Sequence, residues 1–513
     1  MKFKVLFISS VSACFEMDNL SPYYAGESYD VYVNEEKTLE NITTNVFSLY
    51  DLKPDTGYTV RVGEDSVSFT TNKESACIDV KDFGAKGDGI NDDTEAIQQA
   101  INVCPKDGRV VINEGTYLIR PVQLKSRMTL DLKEGAVLLG DTKEEDYPVL
   151  PGEIDDPNTN EKVQISSFEG TPMPCHKSLI SAYYVRDLII TGKGIINGNA
   201  DKSTWWENVK TRKIGRPRLM FLSNCKKVTV HGITGMNSAS WNFHPFFSKD
   251  ISFLDMQVKA PSNSPNTDGT DPESCDGVNY IGVRFSVGDD AIAIKSGKMY
   301  MGMKYKTPAK NHLIRNCLME YAHGAVVLGS EMSGGIKDLT VSQCLFVHTD
   351  RGLRIKTRRN RGKYAVVDGV EFSNIRMENV KAPLVINMFY NCDAFENREY
   401  LQSREPQKVD DTTPYLGKFT FKDMVCEDCE WAAGYFYGLP EQPIGEVKIE
   451  NIEFSFKEDA LEGKPAMMDD AEVLRKAGLV FHNVKKVELK NVKMTGQNGE
   501  EVVKEGVLDY ESD

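Results

Sequence analysis

Long apolar runs are missing from this chain. Nothing in it approaches the roughly 18 consecutive apolar residues that a membrane-spanning helix needs, so a soluble chain without a membrane partner is expected. Positive charge is in deficit: 61 Lys and Arg stand against 76 Asp and Glu, a net charge of −15, which removes general attraction to nucleic acid and anionic lipid. Cysteine is too thinly spread for a secreted disulfide framework, with 11 residues, an odd number, over 513 positions. Reduced thiols are the simplest reading. Cys426 and Cys429 form a lone CxxC with no second pair and no nearby His, which argues against zinc. The glycines of DFGAKGDGIND lack the GxxxxGK[ST] pattern and read as a structural turn, not a phosphate loop.

What is present is a large apolar share, 40%, enough to bury a core and to exclude disorder. The length allows two to four domains. Residues 4 to 70 alternate as short strands (KVLFIS, SACFEM, YDVYV, FSLYDL, YTVRV, SVSFTT) separated by Asn, Pro, Gly and Asp turns, the pattern of a small β-sandwich. Leu52, Pro54, Thr56 and Tyr58 resemble the corner of a fibronectin type III module, where a tyrosine hydroxyl bonds back to the chain. Residues 1–75 are therefore set apart as a fibronectin type III-like unit without chemistry, and residues 76–513 as a second domain.

After the polar linker TNKES, Ala96, Ile97, Ala100 and Ile101 recur at helical spacing, predicting a helix over Thr94 to Cys104 capped by Asp92 or Asp93. From there one motif repeats: two apolar residues two apart, then a polar or glycine position. It occurs at Leu188/Ile190/Gly192, Val228/Val230/Gly232, Ile251/Phe253/Asp255, Val278/Tyr280/Gly282, His312/Ile314/Asn316 and Leu339/Val341/Gln343, and continues through Val487/Leu489/Asn491. Strands returning at such intervals, without long helical periods between them, imply a stacked parallel β-helix with turns about 4.8 Å apart. The Thr94 helix would cover its N-terminal end. Cys317 and Cys344, one residue beyond the polar position of their turns, are expected as buried, stacked thiols.

Register places a cleft. Asp290 and His323 lie at nearly equal distances past their anchors Val278 and His312 and are expected on neighbouring turns in one vertical column, and Asp268 precedes Asp290 by about one turn. Asp268, Asp289 and Asp290 would thus converge beside a histidine, an arrangement suited to acid and base work on a glycosidic bond. Adjacent residues on a regular strand point oppositely, so Asp289 and Asp290 share a cleft only at a bend; otherwise SVGDDAIAI is merely a turn. A second anomaly is the basic run Arg351, Arg354, Lys356, Arg358, Arg359, Arg361 and Lys363, with no acid among them. It reads either as a solvated loop or as a clamp for an acidic polymer such as pectin, with Arg354, Lys356 and Arg358 on one strand face.

At these residues the sequence resembles glycoside hydrolase family 28, the polygalacturonases, over nearly all of residues 78 to 500. Asn266-Thr267-Asp268 is similar to the family's NTD motif, Gly288-Asp289-Asp290 to its GDD-type segment, Ala322-His323-Gly324 to its GHG motif, Arg354-Ile355-Lys356 to RIK, and Tyr390 to the tyrosine that follows. VVLGSEMSGG, RGLRIKTRRNRG and the insertion from about Asp141 to Lys177 resemble the exo-acting branch, and Trp205, Trp206 and Arg216 fit too. The resemblance implies an all-β, right-handed parallel β-helix of the pectin-lyase-like type and inverting hydrolysis of α-1,4-linked galacturonate from the non-reducing end. It implies Asp289 as general acid, Asp268 and Asp290 as holders of the water, His323 as support for the acid, and Asn266, Arg354, Lys356 and Tyr390 as substrate contacts. Arg358, Arg359 and Arg361 are expected to clamp the terminal carboxylate, and the acidic insertion to wall off one side of the groove.

No metal or other cofactor is expected; the partner is an oligogalacturonide or pectin-derived substrate. A rhamnogalacturonan hydrolase, a calcium-dependent pectate lyase and a non-catalytic β-helix adhesin are the alternatives. MKFKVLFISSVSAC faintly resembles a signal ending in a lipoprotein-type cysteine, but its apolar stretch Val5 to Ile8 is short. Cytoplasmic residence is expected, with secretion or the periplasm as the alternative.

Overall fold

The computed structural model describes residues 2–159, 161–392 and 396–513. From Cys77 onward, parallel strands wind into a β-helix with three stacks, 29 of them in one continuous sheet system. The repeated sequence motif is the first stack: Met128, Leu188, Val228, Ile251 and Val278 are direct neighbours up one column, which His312, Leu339, Val370, Phe419, Val447 and Val487 continue. These anchors are buried and fill the interior of the coil. The polar or glycine position after them has a single physical cause. Gly192, Gly232, Asp255, Gly282, Asn316, Gln343, Asn374, Asp423, Asn451 and Asn491 all carry positive φ, between 44° and 112°, because the chain turns there into the short second stack. Gly and Asn/Asp adopt that left-handed conformation at least cost.

Second-stack strands such as Gln257–Lys259, Arg284–Ser286 and Leu318–Glu320 are only three residues long. A corner then leads to the third stack, which contains Phe243–Phe246, Ile292–Ile294, Val326–Gly329, Arg351–Lys356 and Ala382–Asn387. Cys317 and Cys344 are buried with Sγ on carbonyl oxygens, and all 11 thiols are unpaired. Burial pushes the Cys426 and Cys429 thiols up, the opposite of metal-ready thiolates.

Helix Thr94–Val103 buries Ile97, Ala100 and Ile101 against the first turns. Its cap divides the work of the two aspartates. Asp93 stands at the N-cap position, but its carboxylate accepts the N–H groups of Lys86 and Gly87, at 2.6 and 2.9 Å, and so pins the glycine-rich turn. Asp92 instead accepts the Thr94 N–H at 3.0 Å.

Ahead of the coil, Phe3–Ile8, Ala13–Met17 and Val46–Leu49 form one antiparallel sheet, and Glu36–Thr44, Tyr24–Val33, Gly57–Val62 and Asp65–Thr70 a second. Phe15, Phe47, Val31, Val60 and Phe69 pack between them. Strand Glu36–Thr44 was not expected: it is polar on nearly every residue and mostly exposed, so alternation is absent. The Tyr58 hydroxyl accepts the Lys53 N–H at 2.8 Å, the bond the corner reading called for.

The small sheets sit on the left-handed corners of the coil. Glu16 is buried there, accepting from Arg315 at 2.6 and 2.8 Å and from Asn316 Nδ2 at 2.8 Å, with Lys4 at 3.1 Å. Ser48 donates to Asp255 at 2.5 Å, and Tyr50 stacks on the buried His231.

Candidate active site

The corner between the second and third stacks brings the expected carboxylates together. Thr270, Ile292, Val326, Leu353 and Leu384 are neighbours up the third stack. Asp268 and Asp290 each lie two residues before their anchor, with Gly269 N–H donating to the Asp290 carbonyl at 3.0 Å. Asp289 and His323 lie three residues before theirs, joined by His323 N–H to the Asp289 carbonyl at 3.1 Å. A bend at Gly288 and Asp289 breaks the alternation, so both acids of the pair face the same space. Oxygens of Asp268, Asp289 and Asp290 lie within 4.8 Å of one another. Gly324 is required beside them, since a Cβ there would approach Val327 to 2.5 Å and Asp290 Oδ1 to 3.2 Å.

Three carboxylates this close cannot all ionise freely. Asp290 is fully enclosed, and burial alone would push its carboxyl up. Lys356 Nζ at 2.7 Å and Arg354 Nη1 at 3.3 Å win, holding it well below the usual range. Asp268 goes the other way: burial, then Asp271 and Asp289, raise it well above its ordinary value. His323 is raised, first by its bond to Asp289 (Nδ1 to Oδ1, 3.5 Å), against the effect of its own burial. Two neighbouring carboxyls are thus pushed in opposite directions, Asp290 toward its ionised form and Asp268 toward its protonated one.

Around the trio lies a cavity of about 420 Å³, within the range of small-ligand sites. Asn266, Arg354, Lys356 and Tyr390 line it. Asn266 is in the left-handed region and accepts from Arg216 at 2.6 Å; Arg216 also ties down the Ala239 and Pro265 carbonyls. Trp205 is core, against Tyr147 and His176, and Trp206 donates to the Ser238 carbonyl.

Arg358, Arg359 and Arg361 do not line the cavity, a correction to the expected clamp. Strand Arg351–Lys356 ends two residues before Arg358, so the face shared by Arg354 and Lys356 does not continue. Arg359 is fully buried on Glu441, at 2.6 and 2.9 Å, and on the Tyr400 and Ser403 carbonyls. Arg358 donates to the Cys392 carbonyl, and Arg361 is buried. The run is not a solvated loop either.

Sequence reasoning missed several lining residues. Lys295 stands five residues after Asp290, as Lys356 stands five after Arg351, a lone charge in the apolar AIAIK. That register was the available signal. It pairs with Glu331 at 3.0 Å and Asp271 at 3.5 Å beneath Trp241. Glu331 lies within VVLGSEMSGG; despite its burial, Lys295 and Lys298 hold its carboxyl below the usual range.

Two segments wall the cavity. The 141–177 insertion folds into short antiparallel pairs whose tip, Ser167–Phe168 with Thr171–Pro172, brings Glu169 to the lining. Gly170, at φ +68°, lets the tip press on Lys298 and Glu331. Opposite, residues 457–476 contribute Met467, fixed by Arg351 donating to the Pro465 carbonyl at 2.8 Å and by Asn387 and Asn391 donating to the Met467 carbonyl. Nothing in that segment repeats, so no pattern announced it.

The trio is the one group of three metal-competent side chains among the described residues. Both Asp290 oxygens already face cations, so charge that a metal would neutralise is compensated by Lys356 and Arg354.

A parallel β-helix with three carboxylates, a histidine and cationic partners in one walled cavity defines a carbohydrate-cleaving enzyme, a glycoside hydrolase. The model of glycosyl hydrolases family 28 matches residues 158–400, and that of the rhamnogalacturonase A/epimerase, pectate lyase-like group matches 77–154. A probable polygalacturonase of Vitis vinifera is 31% identical over 383 residues, 72% of each chain. The exo-poly-alpha-D-galacturonosidase of Dickeya chrysanthemi is 26% identical over 71% of this chain and 64% of its own length. Among solved structures, the exopolygalacturonase of Yersinia enterocolitica covers 100% of this chain and 98% of its own at 19% identity, with a TM-score of 0.69, a likeness of fold. The chain belongs to glycosyl hydrolases family 28.

Proposed function

We propose that this chain is an exo-acting polygalacturonase that hydrolyses α-1,4-galacturonosidic bonds from the non-reducing end with inversion. One observation supports the reading: the Glu169 hairpin and the Met467 segment both add to the lining of the cavity, where they would obstruct a polymer running through it. Asp290, kept ionised, is the base, and shares the attacking water with Asp268. Asp289, bonded to His323, is the acid that protonates the leaving oxygen.

The closest approach of the trio, within 4.8 Å, is shorter than the ~6.5–9.5 Å usual for inverting pairs. Inversion is favoured here because both Asp290 oxygens are engaged by cations, which leaves a poor nucleophile but a serviceable hydrogen-bond partner for water. The first-formed anomer, read by NMR, decides it: β product supports inversion and α product refutes it.

Asp289→Asn is expected to lower kcat on the order of 10² or more with the fold intact. Polygalacturonate should release mono- or digalacturonate from the first minutes while viscosity falls slowly. A rapid viscosity drop would show an open groove, ultraviolet-absorbing product a lyase, and preference for rhamnogalacturonan the related hydrolase. Cytoplasmic residence, acting on imported oligogalacturonides, belongs to the same proposal. It is supported by strand Phe3–Ile8, whose Phe3 lies in the small-sheet core, and by unpaired thiols. A mature protein beginning near Cys14 outside the cell contradicts it.

A further inference from the structure

Part of the cavity's lining is exposed, at Met467 and Cys392 and at the corner that carries His323. Lys295, Glu331, Arg354, Lys356 and Tyr390 are buried, whereas the His323 side chain is 52% exposed and Asp289 and Asp350 are partly so. These three sit at the corner between the second and third stacks, and a chain whose end is held inside can leave over them. Two residues before His323, on the second-stack side of that corner, Tyr321 is 57% exposed. Its ring lies on His348, centroids 5.3 Å apart and planes 12° from parallel, so one face is backed and the ring still presents itself to solvent.

A hollow of about 550 Å³ begins at Tyr321 and runs over Glu320, Ser286 and Lys259. Lys259, Ser286 and Glu320 are successive neighbours up the second stack, so the hollow spans two turns, roughly 10 Å along the axis. Within it Arg284 and Glu320 neutralise each other at 2.8 Å. Lys259 is exposed and takes part in none of the ion pairs found among the described residues. A supported aromatic face and an uncommitted ammonium, beside the exposed His323 edge of the cavity, are what a chain of acidic sugars needs. The C–H face of a pyranose buries apolar area on a ring. An exposed ammonium attracts its carboxylate.

We propose that this hollow is a second subsite, holding the galacturonate units that follow the leaving residue, with Tyr321 as the stacking platform and Lys259 as the carboxylate partner. It rests on the exo reading, in which the non-reducing end is inside. It makes the enzyme's preference for longer substrates a property of the second stack, outside the catalytic cavity.

The test is kcat/KM on digalacturonate, trigalacturonate and pentagalacturonate for wild type, Tyr321→Ala, Tyr321→Phe and Lys259→Gln. The shortest oligomer that wild type cleaves, dimer or trimer, ends at the leaving residue, so all variants should cleave it within about twofold of wild type, which also shows that they fold. On the pentamer, Tyr321→Ala should lose about tenfold, the equivalent of one stacking contact, and Tyr321→Phe should keep wild-type efficiency. Lys259→Gln should lose about threefold and flatten the salt dependence on the pentamer alone. Equal losses on that oligomer and the pentamer, or none at any length, overturn the subsite and leave the exo reading standing. Wild-type inactivity on every galacturonate overturns the exo reading and the subsite with it.

Discussion

The cavity and the joint under the small sheets both bury ionisable groups, and they handle them differently. At the joint each charge is answered by protein: Glu16 accepts from Arg315, Asn316 and Lys4, and Arg359, elsewhere in the coil, is likewise absorbed by Glu441 and carbonyls. In the cavity Asp268, Asp289 and Lys356 keep atoms turned toward empty space, and like charges are held close. Buried charge is structural where its partners enclose it and functional where they leave one side open. Charge type and neighbourhood in the chain do not separate the two, since Lys356 and Arg359 are three residues apart.

The largest test of that contrast is Lys356→Met. Without the ammonium, burial regains control of Asp290 and its carboxyl rises. kcat should fall on the order of 10², with the acid limb of the kcat/KM profile displaced to higher pH. An unmoved limb would break the comparison on the cavity side.

At the joint the expected change is in stability. Arg315→Ala leaves Glu16 with fewer partners in a buried place and should cost about 3 kcal/mol, seen as a lower Tm, while kcat/KM stays within twofold of wild type. Lost activity in a folded Arg315→Ala protein would blur the two regions.

Asp255 sharpens the joint further. Burial lifts its carboxyl to about 7, opposed by the bond from Ser48. A folded-state pKa above the unfolded one means that its stabilising contribution is complete below about pH 4 and is lost as pH rises through 7. Asp255→Asn should therefore flatten Tm against pH between 4 and 7, with little change at pH 4. The smallest expected effect is that of a chelator: because cations of the chain already answer Asp290, activity should be unchanged, and loss restored by calcium would reassign the trio.

The coil was legible because its corners need left-handed residues, which print Gly, Asn or Asp once per turn after paired apolar anchors. The same register brought Asp268, Asp290 and His323 to one cleft but put His323 in the column of Asp290, whereas its column partner is Asp289, one residue earlier, because the exact count of residues around a corner is not written in the anchors. Arg358 was misread because alternation holds only while a strand lasts, and this one ends at Lys356. Met467 was invisible because a loop that reaches the site from some hundred residues away, with no period of its own, writes nothing into local pattern. Lys295 was visible and passed over: a single charge among apolar neighbours, at the register of Lys356.

On the exo reading, the hairpin tip at Gly170 and the Met467 segment would also set the order of events in time. With the non-reducing end held behind them, the detached terminal sugar would lie deeper than the chain it came from. The shortened polymer must then withdraw before the sugar can diffuse out, and must be recaptured for the next cut. Such an enzyme works distributively, trimming many chains by one step each, and its turnover is governed by how quickly the remaining polymer lets go.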